Sequence, residues 1–232
     1  MDEVKLMKRT DTKFVFPLST LHKILPKLEQ HYRVLEIKGT RLNAYRSLYF
    51  DTEDFQFYQQ HHNGKTNRNK VRFREYIDSG LSFLEVKRKN NKGKTVKKRI
   101  KVDQIPTELE GSNKDFIDKL VDGGLDLKAQ HWNKFTRITF VHKTKKERLT
   151  IDVNLRFEDT DSQKTDLGEM VIAEVKQAKR NLASNFIRII KKERIHPFRI
   201  SKYCMATAKL FPSLKRNNFK RKFLHLDKLQ TT

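Results

Sequence analysis

Six stretches of this chain place most of their charged residues on one side of a two-residue alternation and most of their apolar residues on the other: Val71–Tyr76, Leu84–Lys89, Thr95–Val102, Phe135–Phe140, Leu149–Phe157 and Ile172–Lys176. A period of two is the repeat of a β-strand, whose side chains point to opposite faces in turn. Read this way, one face collects Arg72, Arg74, Glu85, Lys87, Lys89, Lys97, Arg99, Arg137, Asp152, Asn154, Arg156, Glu174 and Lys176. The other collects Val71, Phe73, Leu84, Val86, Val96, Ile100, Val102, Ile138, Phe140, Ile151, Val153, Leu155, Ala173 and Val175. An antiparallel sheet needs one apolar face for its core, and the charged face is then free to meet a ligand.

The charged face is biased in sign. Nine of its charged residues are basic and three acidic. A solvent face intersperses signs, and like charges on adjacent strands destabilise a sheet. A concave anion site explains the bias better than a solvated surface. The whole chain agrees: 51 Lys+Arg against 28 Asp+Glu give a formal net charge of +23. Such a balance points to nucleic acid, nucleotide, polyphosphate or an acidic membrane surface as partner.

The rest of the sequence orders these strands. Val4–Phe16 reads as a first strand with Arg9, Asp11 and Lys13 on one face. Ser19 is the expected N-cap of a helix carrying Leu21, Ile24, Leu25 and Leu28. Strands are expected at 32–38 and 44–50, and a helix start at Asp51–Asp54. Asp78-Ser-Gly80 and 90–94 read as hairpin turns. Residues 106–131 read as a mostly helical insertion, and 160–168 as a polar loop. A helix is expected from about 182 to 194, and another opening near Lys202. The expected fold is α+β, an antiparallel β-barrel closed into a tunnel with helices outside. The tunnel domain is expected over 1–212, with a basic tail at 213–232 whose KRNNFKRKF stretch suits nucleic acid or an acidic membrane.

Other chemistry is thinly represented. There is no phosphate-loop motif and no dinucleotide fingerprint. One cysteine, Cys204, excludes an internal disulfide and fits a reducing cytoplasm. No apolar run is long enough to span a bilayer. Carboxylates within a basic lining, Glu85, Asp152 and Glu174, serve as salt-bridge spacers or as ligands of a Mg²⁺ or Mn²⁺ ion carried by phosphates.

Taken in order, KRTDTKF (8–14), RSLYFD (46–51), VRFREY (71–76), FLEVK (83–87), TVKKR (95–99), FTRITF (135–140), IAEVK (172–176) and FRISKY (198–203) resemble the VTC domain of polyphosphate polymerases. That domain lies within the triphosphate tunnel metalloenzymes, alongside the CYTH proteins. The resemblance implies transfer of the γ-phosphate of ATP onto a growing polyphosphate chain inside a basic tunnel, with release of ADP. A divalent metal, Mn²⁺ or Mg²⁺, is the implied cofactor, and ATP and polyphosphate are the implied partners. A membrane-protein partner is a further implied possibility, and sequence-specific nucleic acid is not expected.

By position, the resemblance assigns catalytic phosphate contacts to Lys13, Arg72, Arg74, Lys87, Lys97, Arg137 and Lys202. It adds a phosphate contact at Arg199 and the metal at Glu174, while Arg9, Lys89, Arg99, Arg156 and Lys176, on the charged strand faces, join Arg199 as expected substrate contacts. The chain departs from the pattern in three places. The E-x-E-x-K start of the wider superfamily is absent from EVKLMKRT (3–10). Phe135 stands at the family's tyrosine, and Arg199 at its usual lysine. Hydrolysis of tri- or polyphosphate in the same fold, or binding without catalysis, are the competing expectations.

Overall fold

The alternating stretches are realised as one antiparallel sheet. The computed structural model describes residues 10–179, 181 and 183–230. In chain order it contains β1 (Thr10–Pro17), α1 (Leu18–Glu29), β2 (Tyr32–Val34), β3 (Asn43–Asp51), α2 (Gln56–His62), β4 (Arg68–Tyr76), β5 (Leu81–Lys89) and β6 (Thr95–Val102). There follow α3 (Gly111–Asp118), β7 (Lys128–His142), β8 (Glu147–Asp159), β9 (Lys164–Asp166), β10 (Met170–Gln177), α4 (Asn185–Lys192), α5 (Lys202–Leu210) and α6 (Lys220–Gln230). The strand order is β1-β10-β8-β7-β3-β4-β5-β6, with β2 added to β7 and β9 to β8.

The expected closure is not made by hydrogen bonds, because β1 and β6 end the ladder. A short strap brings the two halves of the curved sheet together instead. The backbone N–H of Phe198 donates to the Lys13 carbonyl at 2.7 Å. Lys13 Nζ donates to the Ile200 carbonyl at 3.0 Å, and Lys70 Nζ, from β4, donates to Ser201 Oγ at 2.7 Å. Phe198, Ile200 and Ser201 of this strap thus touch β1 in one half of the sheet and β4 in the other.

Three packed groups hold the fold. On one half of the outer face, Phe14, Phe16, Leu149, Ile151, Val171 and Val175 meet Leu21, Ile24 and Leu28 of α1 and Phe186 and Ile190 of α4. On the other half, Leu48, Phe50, Val71, Phe73, Leu84 and Val86 pack under Ile117 of α3 and Val121 and Leu127. The third group lies on the face that carries the charges: Val15, Tyr45, Tyr49, Phe135, Leu155, Phe157 and Ile172 pack against Ile200, Tyr203 and Met205. Each fully buried large apolar side chain contributes about 1.5–3 kcal/mol. The inner face is therefore half binding surface and half core, with α5 seated on the core half.

Asp51 explains why α2 and α5 sit where they do. Its carboxylate accepts the backbone N–H groups of Thr52 (2.9 Å), Phe57 (2.8 Å) and Tyr58 (2.9 Å), and also the Tyr203 hydroxyl. The first turn of α2 is thus satisfied from the end of β3. Ser201 caps α5 in the usual way, its Oγ accepting the Cys204 N–H at 3.3 Å.

Several sequence expectations need correction. Ser19 caps nothing, since α1 already begins at Leu18, with Pro17 as its N-cap residue. The strand expected over 32–38 stops at Val34. The 106–131 segment holds only α3, because β7 begins at Lys128 and Trp132 lies within that strand. Part of the expected 160–168 loop is β9. The hairpin turns at 78–80 and 90–94 fall where expected, with Gly80 (φ +67°) and Gly93 (φ +73°) in left-handed geometry that suits glycine. The tail is a 3₁₀ turn and α6, with Phe219 and Leu226 buried in the inner-face core. No helix among the described residues is long and apolar enough to cross a membrane.

The most consequential correction is a bulge. Lys134 pairs with Arg156 but Thr136 pairs with Val153, so β8 carries one extra residue. Asn154 absorbs it at φ 54°, a region that asparagine tolerates better than most residues. Before the bulge Asp152 faces inward. After it Leu155 and Phe157 face inward, and Arg156 is exposed on the outside.

Candidate anion site

The inner face gathers Lys13 from β1, Arg72 and Arg74 from β4, Lys87 from β5, Lys97 from β6, Arg137 from β7, Lys176 from β10 and Lys202 from the start of α5. It also holds three carboxylates, and their pairing divides the site. Glu85 is fully buried and accepts from Arg72 Nε (3.0 Å) and Nη2 (2.7 Å) and from Lys97. Asp152 accepts two bonds from Arg137, at 2.6 and 2.8 Å, and one from Lys202. Glu174 accepts from Lys176 at 2.7 Å through Oε2, while Oε1 has no hydrogen-bond partner among the described residues.

Two carboxylates thus act as rivets, each holding two cations. The neutralisation is incomplete. Among the described residues Arg74 hydrogen-bonds only to Ser47 Oγ, at 3.2 Å. Among the described residues no carboxylate pairs with Arg74, Lys87, Lys13 or Lys70. Aromatic rings hold several of the cations in place. Arg137 and Lys202 lie 5.3 and 4.5 Å from the centroid of Phe135, and Arg74 lies 5.7 Å from that of Tyr45. Tyr49 accepts from Arg72 Nη1 at 2.8 Å.

The titration of these groups follows from crowding. Lys87 is held well below the usual lysine range, first by the Arg72 charge and then by burial. Burial brings Lys97 and Lys202 each down to about 8, although Glu85 and Asp152 respectively oppose the shift. Burial resists ionisation of Asp152, yet Arg137 and Lys202 keep its carboxyl below the ordinary range. Burial works against charge on Arg137 as well, and Asp152 more than restores it. Burial and then the Lys176 and Lys13 charges act in opposite senses on Glu174, and the lysines win, so it stays ionised. The face therefore presents excess positive charge in a poorly solvated setting, where a phosphate chain is the natural counter-ion.

The remaining sequence assignments fall outside this cluster. Lys89 is part-buried near His61, whose imidazole is held neutral by burial and by neighbouring cations, Lys70 first. Arg99 is exposed, 4.3 Å from the Phe83 ring centroid. Arg156 is turned outward by the bulge, so the substrate role assigned to it is not supported by its placement. Arg199 is exposed on the strap. Arg9 lies outside the described residues.

Lys70 and the tyrosines Tyr45 and Tyr49 belong to the site without having been expected there. Lys70 continues the alternation of Arg72 and Arg74 by one step, so extending that strand upstream would have found it. The tyrosines carry no charge signal, and the one basic residue of β3, Arg46, faces the other way, over Trp132.

Glu174 is the carboxylate with capacity to spare. No group of three or more His, Cys, Asp or Glu side chains able to cage a metal occurs among the described residues. One carboxylate suits a Mg²⁺ or Mn²⁺ ion that takes its other ligands from phosphates and water, and does not suit an all-protein metal centre. The residues present fit a cation that arrives with its substrate.

A curved antiparallel sheet with a cation-lined inner face and helices packed around it defines a tunnel-like polyanion-binding α+β protein. The chain belongs to the VTC domain family, whose sequence profile matches residues 8–211. Among the solved structures that share the fold are two. One is a protein from Hippeastrum, proposed to be an adenylyl cyclase and described as having a dominant triphosphatase activity. It has 14% sequence identity and a TM-score of 0.57, over 88% of this chain and 96% of that one. The other, from Bacillus halodurans and proposed to be an adenylate cyclase, has 16% identity and a TM-score of 0.55, over 88% of this chain and 99% of that one. A comparison with curated proteins finds none that matches this sequence.

Proposed function

We propose that this protein is an ATP-dependent polyphosphate polymerase, moving the γ-phosphate of ATP onto the end of a polyphosphate chain and releasing ADP. One observation carries the reading: cations from both halves of the sheet converge on one inner face, and the carboxylates there neutralise only part of their charge. Membership of the VTC domain family supports the substrate class.

In this reading catalysis is positioning plus electrostatic stabilisation. Arg74, Lys87 and Lys13, without carboxylate partners, grip non-bridging phosphate oxygens. Arg72, fixed by Glu85 and Tyr49, and Arg137 and Lys202, fixed by Asp152, are aimed in advance of substrate. Glu174 would hold a divalent cation, Mn²⁺ or Mg²⁺, which supplies charge neutralisation on the phosphates. The terminal phosphate of the acceptor is already an anionic nucleophile, so no strong general base is needed. The single cysteine and the absence of long apolar runs favour the cytoplasm, and docking to a membrane protein remains part of the proposal.

Hydrolysis is the second reading, and the triphosphatase activity described for the Hippeastrum relative is the observation that favours it. The two differ in whether phosphate or water reaches the γ-phosphorus. Purified protein with ATP and Mn²⁺ separates them by product. Polyphosphate with ADP is the expected result. Free phosphate with ADP supports hydrolysis, and unchanged ATP leaves only a binding module.

A further inference from the structure

The basic C-terminal segment, expected as a tail, is fastened to the inner-face core and to the strap. Leu226 and Phe219 are buried in the same core as Tyr203. The Phe219 ring stands edge-on to Tyr58 and His62, with centroids 5.9 and 5.2 Å away. The Asn218 N–H donates to His62 Nε2 at 3.2 Å, and Gln230 Nε2 donates to the Leu167 carbonyl at 3.0 Å. His225 stacks on Phe198 of the strap, with centroids 4.5 Å apart.

These contacts fix Lys222. Its ammonium sits 4.9 Å from the centroid of the Phe219 ring. Burial, and then the charges of Arg68, Lys13 and Arg199, depress its titration. None of these four cations has a carboxylate partner among the described residues. Arg68 spends one donor on the Lys65 carbonyl at 2.6 Å and keeps its buried Nε unpartnered. A rigid group of like charges raises the energy of the empty fold and is relieved by a bound anion. Phe198, on which His225 of α6 stacks, donates its N–H to the carbonyl of Lys13, so α6 and the inner face meet at the strap.

We propose that α6, through Lys222, extends the anion site past the strap into a track that holds the phosphates of a long inorganic polyphosphate beyond those gripped inside. The proposal rests on the polyphosphate reading above. It predicts chain-length selectivity, since tripolyphosphate is too short to fill both parts.

Binding to full-length wild type, Lys222→Gln and Lys220→Gln is measured by calorimetry, using tripolyphosphate, long-chain polyphosphate and duplex DNA. Lys220 is an exposed lysine on the same helix, so its variant loses the same net charge. Lys222→Gln is expected to weaken long-chain polyphosphate about ten-fold, as for loss of one charge-assisted contact, and to leave tripolyphosphate unchanged. That second value also shows that the variant is folded. Lys220→Gln is expected to match wild type. Equal weakening of both polymers, an equal effect in Lys220→Gln, or no effect in Lys222→Gln overturns the track while leaving the inner site standing. Duplex DNA bound as tightly as polyphosphate, and weakened alike, also overturns it. A wild type that binds neither polyphosphate removes the functional reading as well.

Discussion

Without ligand, this protein should become more stable as the solution is made alkaline, and Lys202 should be a main cause. Burial, reinforced by Arg137 and Lys13, takes its ammonium from 10.5 to about 8 even with Asp152 opposing. The unfolded chain keeps the ordinary value. Between about pH 8 and 10.5 the unfolded chain therefore binds the extra proton, and unfolding becomes harder as pH rises. At about 1.4 kcal/mol per pH unit the full window integrates to about 3 kcal/mol, of which about 2 kcal/mol falls between about pH 7.5 and 9.5. Lys97, also brought down to about 8 chiefly by burial, adds a contribution of the same sign. The buried phenols set the upper limit. Tyr58 and Tyr203 are raised, first by burial, so above about pH 10 the unfolded chain loses phenolic protons first and stability falls again. Urea unfolding of wild type and Lys202→Met at a series of pH values tests this directly. Asp152 keeps its two bonds to Arg137 in the variant, so the fold survives. The wild-type rise should exceed the variant's by about 2 kcal/mol over that span. Identical slopes, or wild-type stability that declines from pH 8 to 9.5, would refute the reasoning. Bound polyphosphate should reverse the trend, since it favours the protonated lysines.

Other outcomes follow from the same contacts. Arg74→Ala should cost about ten- to a hundred-fold in polyphosphate affinity with a small loss of stability, because Arg74 neutralises no carboxylate among the described residues and is held by Ser47 and the Tyr45 and Phe135 rings; an unchanged dissociation constant would remove it from the site. Arg72→Ala should instead lower the unfolding free energy by about 3 kcal/mol, since it strips Glu85, fully buried, of the guanidinium that gives it two hydrogen bonds, and a melting temperature equal to wild type would contradict that. Asp51→Ala should cost a similar amount, about 3 kcal/mol, by orphaning backbone N–H groups of α2 and the Tyr203 hydroxyl; thermal denaturation is the check. Glu174→Gln should abolish metal-dependent turnover while polyphosphate binding persists, and normal activity at limiting Mn²⁺ would exclude the carboxylate from metal binding.

The strand pattern was legible because a curved sheet with one ligand face imposes period two along every strand it uses. Arg72, Arg74, Lys87, Arg137, Glu174 and Lys176 could be placed from that period alone. The pattern gave no warning of Asn154, because a bulge alters the phase of the alternation without altering its composition. It was also silent on closure. Whether β1 meets β6 depends on the curvature of the sheet and on the strap, neither of which has a local signal. Lys128–His131 was hidden because its residues read equally well as the end of a polar insertion. The pairing of Asp152 with both Arg137 and Lys202 joins residues far apart in sequence, and no local rule connects them. The docking of α6 was missed because Phe219 and Leu226 are sparse among lysines and arginines, yet two anchored side chains suffice to seat a short helix on an existing core.

The extra residue in β8 makes this site sensitive to backbone conformation as well as to chemistry. Asparagine at position 154 can be exchanged for glycine at little cost, since both tolerate the left-handed backbone found there. Its deletion would be absorbed as well. Thr136–Val153 and Lys134–Arg156 would then flank one residue on each strand, and Leu155 and Phe157 would stay inward in a regular ladder. The damaging change is a residue that resists the left-handed backbone. Asn154→Val would favour a flat strand with the extra residue kept, turning Leu155 and Phe157 toward water and Arg156 into the seat of α5. A catalogue of single-residue deletions would rank the position among the most forgiving in the chain, and a catalogue of β-branched substitutions would rank it among the least.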